Sequence, residues 1–188
     1  MRPSKRDQLV RKALDVFYRN GFHATGMDML VVETGVSKTS MYKYFQNKEE
    51  LIVAVLQLRD ENFRTWFINR IEELASTPEG KLIALFDALR EWFVQPGFCG
   101  CMFINASAEY QNLDHPIHMQ AASHKRLVFE YFLGLAKDAG ASDPSTFVRQ
   151  LLLLKEGAIV TAHLGHTKDP AGDAKFAAQA LAANYIAK

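Results

Sequence analysis

The sequence predicts an all-α protein, and three observations support this prediction. Alternation of apolar and polar residues, which a half-buried strand requires, does not persist anywhere along the chain. Apolar residues instead recur three or four positions apart, which is the period of an amphipathic helix. The segments with this period are separated by stretches rich in Gly, Pro and Asp, such as QPGFCG, NLDHP, GASDP and GHTKDP. We predict nine helices, at about 4–20, 27–34, 37–44, 47–75, 79–94, 100–111, 115–139, 144–165 and 170–187.

Residues that favour helix ends mark the boundaries in the N-terminal part of the chain. Ser, Thr and Asn side chains can accept a hydrogen bond from a free backbone N–H of the first turn. Gly tolerates the left-handed conformation that often follows a helix. The candidate caps are Ser4, Thr25, Ser37 and Asn47, and the candidate stops are Gly21 and Gly35. These signals place three short helices before a long fourth one.

The composition changes at about residue 48. Met1 to Lys48 contains nine Lys and Arg against four Asp and Glu, a local charge of +5, although the whole chain carries only +1. The six helices that follow are larger and more apolar. We therefore predict a small basic domain of three helices at 1–47 and a larger domain at 48–188.

Nothing in the sequence predicts export or insertion into a membrane. The start, MRPSKRDQLV, has basic residues but lacks the apolar stretch of a secretory signal. The apolar run at 151–154 is followed by Lys155 and Glu156 and is far too short to cross a bilayer. Cys99 and Cys101 are too close in sequence to staple a fold, so the reducing cytoplasm is the expected location.

A helix-turn-helix pattern follows the first helix. The helix at 27–34 is followed by the turn TGVS and a short helix at 38–44, an arrangement in which the second helix enters the major groove of DNA. Gly35 supplies the left-handed turn that a side chain would resist. Leu30 and Val36 are placed to seal the small core between the two helices.

The second of these helices combines aromatic and basic side chains. Lys38, Thr39 and Tyr42 fall on its neighbouring faces, where hydroxyl and Lys side chains can reach base edges and Tyr hydroxyls can bind phosphates. The alternative is that the aromatic residues are core and the lysines are ordinary solvated charge. We favour the core for Phe45, but a half-buried ring with an outward hydroxyl for Tyr42 and Tyr44.

The block GFHATGMDMLVVETGVSKTSMYKYFQNKEEL, residues 21–51, resembles the DNA-binding domain of the TetR/AcrR family of bacterial transcriptional regulators. The resemblance rests on three motifs at the family's spacing: Gly-Val-Ser at 35–37, Tyr-x-Tyr-Phe at 42–45 and Lys-Glu-x-Leu at 48–51. It implies a protein that binds DNA.

The resemblance also implies which residues contact DNA. Those expected at base edges or phosphates are Thr25, Lys38, Thr39, Ser40, Tyr42, Lys43, Tyr44 and Lys48. The sequence departs from the family pattern at Gly26, Val31 and Thr39, where a capping Ser, Ala and Gly are common. Because Thr39 can add a base contact, the operator sequence cannot be taken from relatives.

A second implication of the resemblance is a dimer in which the last two helices form a four-helix interface. The sequence agrees, because the eighth helix is apolar around most of its circumference and both helices carry small residues that allow close approach. The residues expected at the interface are Leu154, Ala158, Ala162, Ala178 and Ala182. A two-fold dimer presents two recognition helices about one DNA turn apart and therefore reads a palindrome.

A third implication is a small-molecule pocket in the larger domain. Aromatic and soft apolar side chains are suited to line such a pocket, although each is also a candidate for plain core. Asn105 and Glu109 are polar outliers that either orient a ligand or face solvent. The expected lining residues are Phe63, Trp66, Phe67, Trp92, Cys101, Met102, Asn105 and Glu109. The expected inducer is apolar or electrophilic.

Cys99 and Cys101 admit two interpretations. A Cys near a helix N-terminus can react with electrophiles or oxidants, and the Gly-Cys pair followed by an apolar stretch and Glu109 resembles some electrophile-responsive members of the family. More often, however, a Cys is a small buried hydrophobe. We expect no metal and no cofactor, because Cys-x-Cys lacks the usual ligand spacing.

No catalytic motif is present in the sequence. A Walker loop, a dinucleotide-binding glycine pattern and a zinc-protease His pair are all missing, so we predict that the protein is not an enzyme. The predicted function is that of a cytoplasmic, homodimeric repressor that a small molecule releases from a palindromic double-stranded DNA operator. The alternative is a small-molecule or electrophile sensor dimer that binds no operator.

Overall fold

The computed structural model describes residues 4–186 and confirms the predicted all-α fold. Over that range the chain forms nine α-helices and no strand. The helices are α1 Lys5–Asn20, α2 Met27–Thr34, α3 Lys38–Tyr42, α4 Lys48–Leu74, α5 Pro78–Phe93, α6 Met102–Glu109, α7 Pro116–Asp138, α8 Pro144–Leu164 and α9 Pro170–Tyr185. None of the helices in this range is long and apolar enough to span a bilayer.

Three of the four predicted N-caps are confirmed. The Ser4 hydroxyl accepts from the backbone N–H of Asp7 at 3.1 Å, and the Ser37 hydroxyl accepts from Ser40 N at 3.2 Å. Asn47 Oδ1 accepts from Glu50 N at 2.9 Å. Each bond satisfies a donor that the helix itself leaves free, which explains why short polar residues precede these helices.

The fourth predicted cap, Thr25, is wrong. The N-cap of α2 is Gly26, which makes no side-chain hydrogen bond. Thr25 is fully buried, and its hydroxyl donates to the carbonyl of Gly21 at 2.6 Å. The side chain therefore closes the loop between α1 and α2 instead of starting the second helix.

The described chain divides into two compact units. The first consists of the residues up to Phe63 together with Met102–His124, and the second consists of Arg64–Cys101 and the residues from Lys125 onward. The first unit thus contains α1, α2, α3 and α6, whereas α4 and α7 each contribute residues to both units.

The core of the first unit forms where the buried face of α1 meets the short helices. Leu9, Ala13 and Phe17 are essentially inaccessible, and they recur at helical spacing. Phe17 and Phe22 pack with ring centroids 5.5 Å apart. This apolar centre positions the helix-turn-helix.

The second unit combines buried apolar side chains with ion pairs between its helices. α9 packs against α5 and α8, and the ring of Phe147 stacks on Tyr185 at 5.2 Å. Arg70 forms two 2.8 Å bonds to Glu91, which joins α4 to α5. Lys175 on α9 binds both carboxylate oxygens of Asp87, at 2.8 and 2.7 Å.

Candidate functional site

The turn between α2 and α3 has the geometry that the sequence predicts for a helix-turn-helix. Gly35 adopts the left-handed conformation, with φ 68° and ψ 17°, and its N–H donates to Val31 O at 3.0 Å. A side chain at this φ would be strained. The buried Thr34 donates its hydroxyl to Leu30 O at 2.6 Å and accepts from Val36 N at 3.2 Å. Both ends of the turn are therefore fixed by hydrogen bonds.

A lysine from α1 completes the turn. Lys12 Nζ donates to the carbonyl oxygen of Thr34 at 2.6 Å. A cation at the C-terminus of α2 satisfies a free carbonyl and complements the helix dipole. No local sequence pattern indicates this contact, because Lys12 and Thr34 are 22 residues apart.

α3 is a five-residue helix that is fixed by a few inward side chains. Met41 is 1% exposed and Phe45 is 6% exposed. The guanidinium of Arg6 lies 5.0 Å from the centre of the Phe45 ring, as in a cation–π contact. The prediction that Phe45 belongs to the core is confirmed, and the remaining face of α3 is left for other contacts.

Most of the residues expected at DNA lie on this outward face. Tyr42 and Tyr44 are 48% and 39% exposed, as expected for half-buried rings. Ser40 is partly exposed because it participates in the Ser37 cap. The other exposed members are Lys38, Thr39 and Lys43. The structure thus brings together hydroxyl, phenol and ammonium groups within seven consecutive residues.

An acidic residue lies beside this face. Asp28 Oδ1 is 3.4 Å from Lys38 Nζ, and both side chains are exposed. An exposed pair of this kind contributes only about 0.2–1 kcal/mol, so it can be exchanged readily for another anion.

Thr25 and Lys48 occupy positions different from those expected of simple phosphate contacts. Thr25 is fully buried, so its side chain is not available to a phosphate in this structure. Lys48 donates to Phe22 O at 3.0 Å and to Thr25 O at 3.2 Å. An ammonium group has three N–H donors, of which these two bonds use two. Lys48 therefore fixes the loop between α1 and α2.

Glu109 binds the same loop from the end of α6. Its carboxylate accepts from the backbone N–H of Phe22 at 2.9 Å, from that of His23 at 2.5 Å, and from His23 Nδ1 at 2.9 Å. Gly21 has φ 79°, and a Cβ on it would lie 3.1 Å from Glu109 Oε1. The sequence left open whether Glu109 orients a ligand or faces solvent, and in the structure its oxygens bind this loop.

Three rings stack beside this carboxylate. Tyr110 lies between His23 and His115, with centroid distances of 4.7 and 4.8 Å. His115 Nε2 is also 3.4 Å from Glu49 at the start of α4. The stack connects the loop after α1, the end of α6 and the start of α7 within the first unit, and no local motif in the sequence reveals it.

The other expected ligand residues of the first unit pack around a buried polar pair. Asp60 Oδ1 lies 2.6 Å from His124 Nδ1, and both side chains are buried. Phe63 meets the His124 ring edge-on at 6.0 Å, and Phe103 stacks on the same ring at 3.7 Å. Met102 is buried and Asn105 is half-buried on α6.

The expected ligand residues of the second unit pack in aromatic clusters. Phe67 lies 6.1 Å from Trp66 and 6.2 Å from Phe132, and Trp92 lies edge-on to Phe98 at 4.9 Å. A cavity of about 700 Å³ between the end of α4, α5 and α9 is lined by other residues, among them Asp87 and Lys175. A second cavity, of about 550 Å³, lies between α7 and α8. Neither of these two cavities is lined by a residue of the expected set.

The small residues expected at the dimer interface are mostly buried within the chain itself. Ala158, Ala178 and Ala182 are 4% exposed or less, so they are not available to a partner, whereas Leu154 and Ala162 are half-buried. The reason is that close approach of α8 and α9 in one chain already uses the small side chains.

A different set of residues on α8 is exposed and apolar. Leu153, Val160 and Leu164 are 72%, 44% and 66% exposed, and Gly157 lies between them. Their positions differ by four, three and four residues, so they form one stripe along the helix. Phe176 on α9 is 78% exposed. The spacing was visible in the sequence but was hidden by the continuous apolar run at 151–154.

Comparison with known proteins extends these observations. Residues 9–55 match the sequence model of the bacterial regulatory proteins of the tetR family. The HTH-type transcriptional regulator YjdC of Escherichia coli (strain K12) is 24% identical over 155 residues, which are 82% of this chain and 81% of that protein. The HTH-type transcriptional activator FasR of Mycolicibacterium smegmatis is 44% identical over 61 residues, 32% of this chain and 28% of FasR.

Two solved structures are similar over nearly the whole chain. SCO4454, a TetR-family transcriptional regulator from Streptomyces coelicolor, has a TM-score of 0.87 and 26% identity, over 96% of this chain and 89% of that one. The putative TetR transcriptional regulator sav143 from Streptomyces avermitilis has a TM-score of 0.87 and 28% identity, over 97% of this chain and 98% of that one. The fold and the helix-turn-helix define a transcriptional regulator of the helix-turn-helix class. Within that class, the chain belongs to the TetR/AcrR family.

Proposed function

We propose that the protein is a sequence-specific repressor that binds a palindromic operator as a homodimer and leaves it when a small molecule binds. The observation that carries the proposal is the division of α3 into two faces. Met41 and Phe45 are buried, whereas the lysine, hydroxyl and tyrosine side chains are exposed on the other side. A helix anchored in this way can insert its polar face into the major groove.

The exposed face divides into base-reading and phosphate-binding parts. Lys38, Thr39 and Ser40 lie in the first turn of α3, the part that meets base edges in a helix-turn-helix. Tyr42 and Tyr44 follow, with hydroxyls suited to phosphate oxygens.

Two lysines complete the proposed phosphate contacts. Lys43 is the C-cap of α3 and is exposed, so it can approach a phosphate. Lys48 can donate its third N–H while its other two bonds support the loop.

We assign the dimer interface to the stripe Leu153, Gly157, Val160 and Leu164, with Phe176 beside it. Burying these large apolar side chains against a second copy removes them from water. A two-fold axis makes the interface self-complementary and places two copies of α3 on the same side of a DNA duplex. The predicted half-site spacing is about one turn of DNA.

We propose that ligand binding acts on the DNA-binding helices through α4. This helix is continuous over 27 residues from Lys48 to Leu74. We place the ligand in the second unit, which contains Trp66, Phe67 and Trp92, because rings of this kind bind small apolar molecules. A displacement of the ligand-bound half of α4 would move Lys48 and the loop it binds, and would thereby favour a state that fits the operator poorly.

The experiment is a salt-dependent binding assay with DNA taken from upstream of the gene itself. The wild type is expected to retain one fragment selectively, with an affinity that falls steeply as salt rises. Lys38→Ala and Tyr42→Ala are expected to weaken retention, whereas Lys168→Ala, an exposed lysine in the loop before α9, serves as the control. Unchanged retention by both α3 variants would contradict the assignment of the site.

The alternative function is a sensor dimer without an operator. It is favoured by one observation, the polar cluster in which Lys125 Nζ lies 3.5 Å from Cys101 Sγ and 2.7 Å from Glu156 Oε2, because this cluster involves none of the α3 residues. Selective retention of the upstream fragment would exclude this alternative. Binding of a small molecule together with no preference for any genomic fragment would support it.

A further inference from the structure

The cavity between α7 and α8 combines apolar and charged side chains. Its volume is about 550 Å³, which is within the range of small-molecule sites, and its lining residues all belong to the second unit. The apolar lining consists of Val128 and Phe129 on α7 and of Leu152 and Leu153 on α8. Among the described residues that line it, none is a proposed DNA contact. The proposed DNA contacts therefore leave this cavity unused.

Arg149 offers hydrogen-bond donors at this cavity. Its side chain is exposed, and its guanidinium donates to Ser145 Oγ and to Thr146 Oγ1, each at 2.7 Å. A guanidinium has five N–H donors, so these two bonds leave three for a ligand. Both acceptors are neutral hydroxyls of the same helix, and within the described part of the chain Arg149 forms no ion pair. The two bonds therefore orient the guanidinium without neutralising it.

The carboxylate of Asp143 is affected by the charge of Arg149 but forms no ion pair with it. Hydrogen bonds from Thr146 lower the pKa of Asp143, and the charge of Arg149 lowers it further. Asp143 Oδ1 accepts from Thr146 N at 3.1 Å as the N-cap of α8, and Asp143 is not part of the cavity lining. A carboxylate ligand at Arg149 would therefore not have to displace an anionic partner.

Two lysines share one carboxylate farther along α8. Glu156 follows Arg149 by seven residues, which is about 10 Å along the helix axis. Lys125 Nζ donates to Glu156 Oε2 at 2.7 Å, and the buried Lys155 donates to Oε1 at 2.8 Å. Burial opposes the ionised form of Glu156, but the two lysines outweigh it and lower its pKa to about 2. Even without Lys155, the lining carries two cations, Lys125 and Arg149, against one carboxylate.

We propose that this cavity binds an amphipathic organic anion, whose carboxylate pairs with Arg149 and whose apolar body lies between α7 and α8. The guanidinium suits a carboxylate because two parallel N–H···O bonds can form between them. The apolar body leaves water against Phe129 and Leu152. Because Arg149 is exposed, the carboxylate stays partly hydrated, which avoids the cost of burying a charge. The positive lining disfavours an amphipathic cation.

The larger cavity between the end of α4, α5 and α9 differs in the sign of its charge. Its charged lining residues are Glu79, Asp87 and Lys175. Lys175 Nζ binds both carboxylate oxygens of Asp87, at 2.8 and 2.7 Å, so this pair is balanced and the charge of Glu79 remains. A carboxylate would find no unpaired cation there. An anionic ligand therefore distinguishes the two cavities.

Isothermal titration calorimetry with matched probes tests the class of ligand. Decanoate, decan-1-ol and decyltrimethylammonium share one alkyl chain and differ in the charge of the head group, and each is used below the concentration at which it forms micelles. Decanoate is expected to bind at least about tenfold more tightly than the other two, because only it forms charge-assisted bonds with a guanidinium. Acetate, which lacks the chain, is expected to give no measurable binding. Equal binding of the three decyl compounds, or no binding of decanoate, would overturn the proposal.

Substitutions in the cavity wall locate the site. Arg149→Met changes an exposed residue and is expected to weaken decanoate about tenfold, to the affinity of decan-1-ol, whereas Arg149→Lys keeps the charge and should give an intermediate affinity. Phe129→Ala, with its folding checked by circular dichroism, should weaken decanoate and decan-1-ol alike. Lys137→Met, an exposed lysine in the last turn of α7, is the control. If Arg149→Met bound decanoate as tightly as the control, the proposal would fail.

Leu153 connects the cavity to the α8 stripe, and the consequence for assembly rests on the dimer interface proposed above. Leu153 lines the cavity and is also 72% exposed as the first residue of that stripe. A partner packed on the stripe would cover Leu153 and remove more of the bound chain from water. Decanoate is therefore expected to lower the dimer dissociation constant at least about threefold in sedimentation equilibrium.

The two parts of the inference can fail separately. An unchanged dimer affinity in saturating decanoate would refute the coupling between the cavity and the interface. A protein that binds decanoate as expected but stays monomeric with and without it would refute the proposed interface and leave the ligand site intact.

Discussion

Replacement of Lys43 by Gln offers a quantitative test of the proposed DNA contact. Lys43 ends α3 and is exposed. A lysine that neutralises a phosphate releases a counterion, and each such contact contributes about 0.9 to the slope of log K against log salt. Because the proposed dimer carries two copies, the slope is expected to become less negative by about 1.8.

The same arithmetic gives the loss of affinity. If the variant and the wild type bind equally well at 1 M salt, slopes that differ by about 1.8 make the variant's complex roughly 60-fold weaker than the wild type's at 0.1 M salt. Fluorescence anisotropy with a labelled operator fragment at four or five salt concentrations measures both quantities. Gln retains a side chain of similar length, so the substitution removes the charge and little else.

The control is Lys168→Gln, which removes an exposed lysine from the loop before α9. It has the same effect on net charge, and its slope is expected to match that of the wild type. If Lys43→Gln left the slope unchanged, or if the control changed it equally, Lys43 would not be a phosphate contact and the orientation proposed for α3 would be wrong.

Three further predictions follow from other contacts. Asp28→Asn is expected to tighten operator binding about three- to tenfold in the same anisotropy assay, because it frees Lys38 from its 3.4 Å partner and removes a negative charge near the phosphates. Val160→Asp, in the exposed stripe on α8, is expected to give monomers in sedimentation velocity and to abolish tight operator binding; a stable dimer would place the interface elsewhere. The third concerns pH. Glu156 has a folded pKa of about 2 against 4.5 ordinarily, so its stabilisation is complete above pH 4.5 and is lost as the pH falls toward 2. When the pH is lowered from 7 to 3, the free energy of unfolding measured by urea denaturation should fall by about 2 kcal/mol less in Glu156→Gln than in the wild type. Equal falls in the two proteins would contradict this prediction.

The helix-turn-helix could be predicted from the sequence because the residues that determine it act on their immediate neighbours. Gly35 is the residue that a left-handed turn requires, and Ser37 is the cap that starts α3. Both act within four residues of their own position, so their spacing alone indicates the structure. The burial of Phe45 and the half-exposure of Tyr42 and Tyr44 follow from the same short helix.

The remainder of the site depends on contacts between distant residues. Glu109 binds a loop 86 and 87 residues earlier in the chain, and only the fold shows that its carboxylate is used there. Lys125 and Glu156 are 24 and 55 positions beyond Cys101, so no motif could connect them. The α8 stripe is the exception. Its spacing of four, three and four was readable, but small residues were taken as the stronger sign of an interface.

The loop between α1 and α2 connects the two halves of the proposed mechanism. Its backbone N–H groups at Phe22 and His23 are bound by Glu109, the last residue of α6, and its carbonyls at Phe22 and Thr25 are bound by Lys48, the first residue of α4. Cys101 directly precedes α6 in the chain. Displacement of either helix would therefore be transmitted to the loop, and through it to the start of α2.

Glu109→Gln tests this connection. The amide keeps one acceptor but loses the charge and the second acceptor, so the free energy of unfolding is expected to fall by about 1–2 kcal/mol, measured by urea denaturation. Operator binding should persist, since none of the proposed DNA contacts is changed. Glu61→Gln, an exposed change on α4, is the control. A Glu109→Gln variant that is as stable as the control would show that the bonds from Glu109 do not hold the loop.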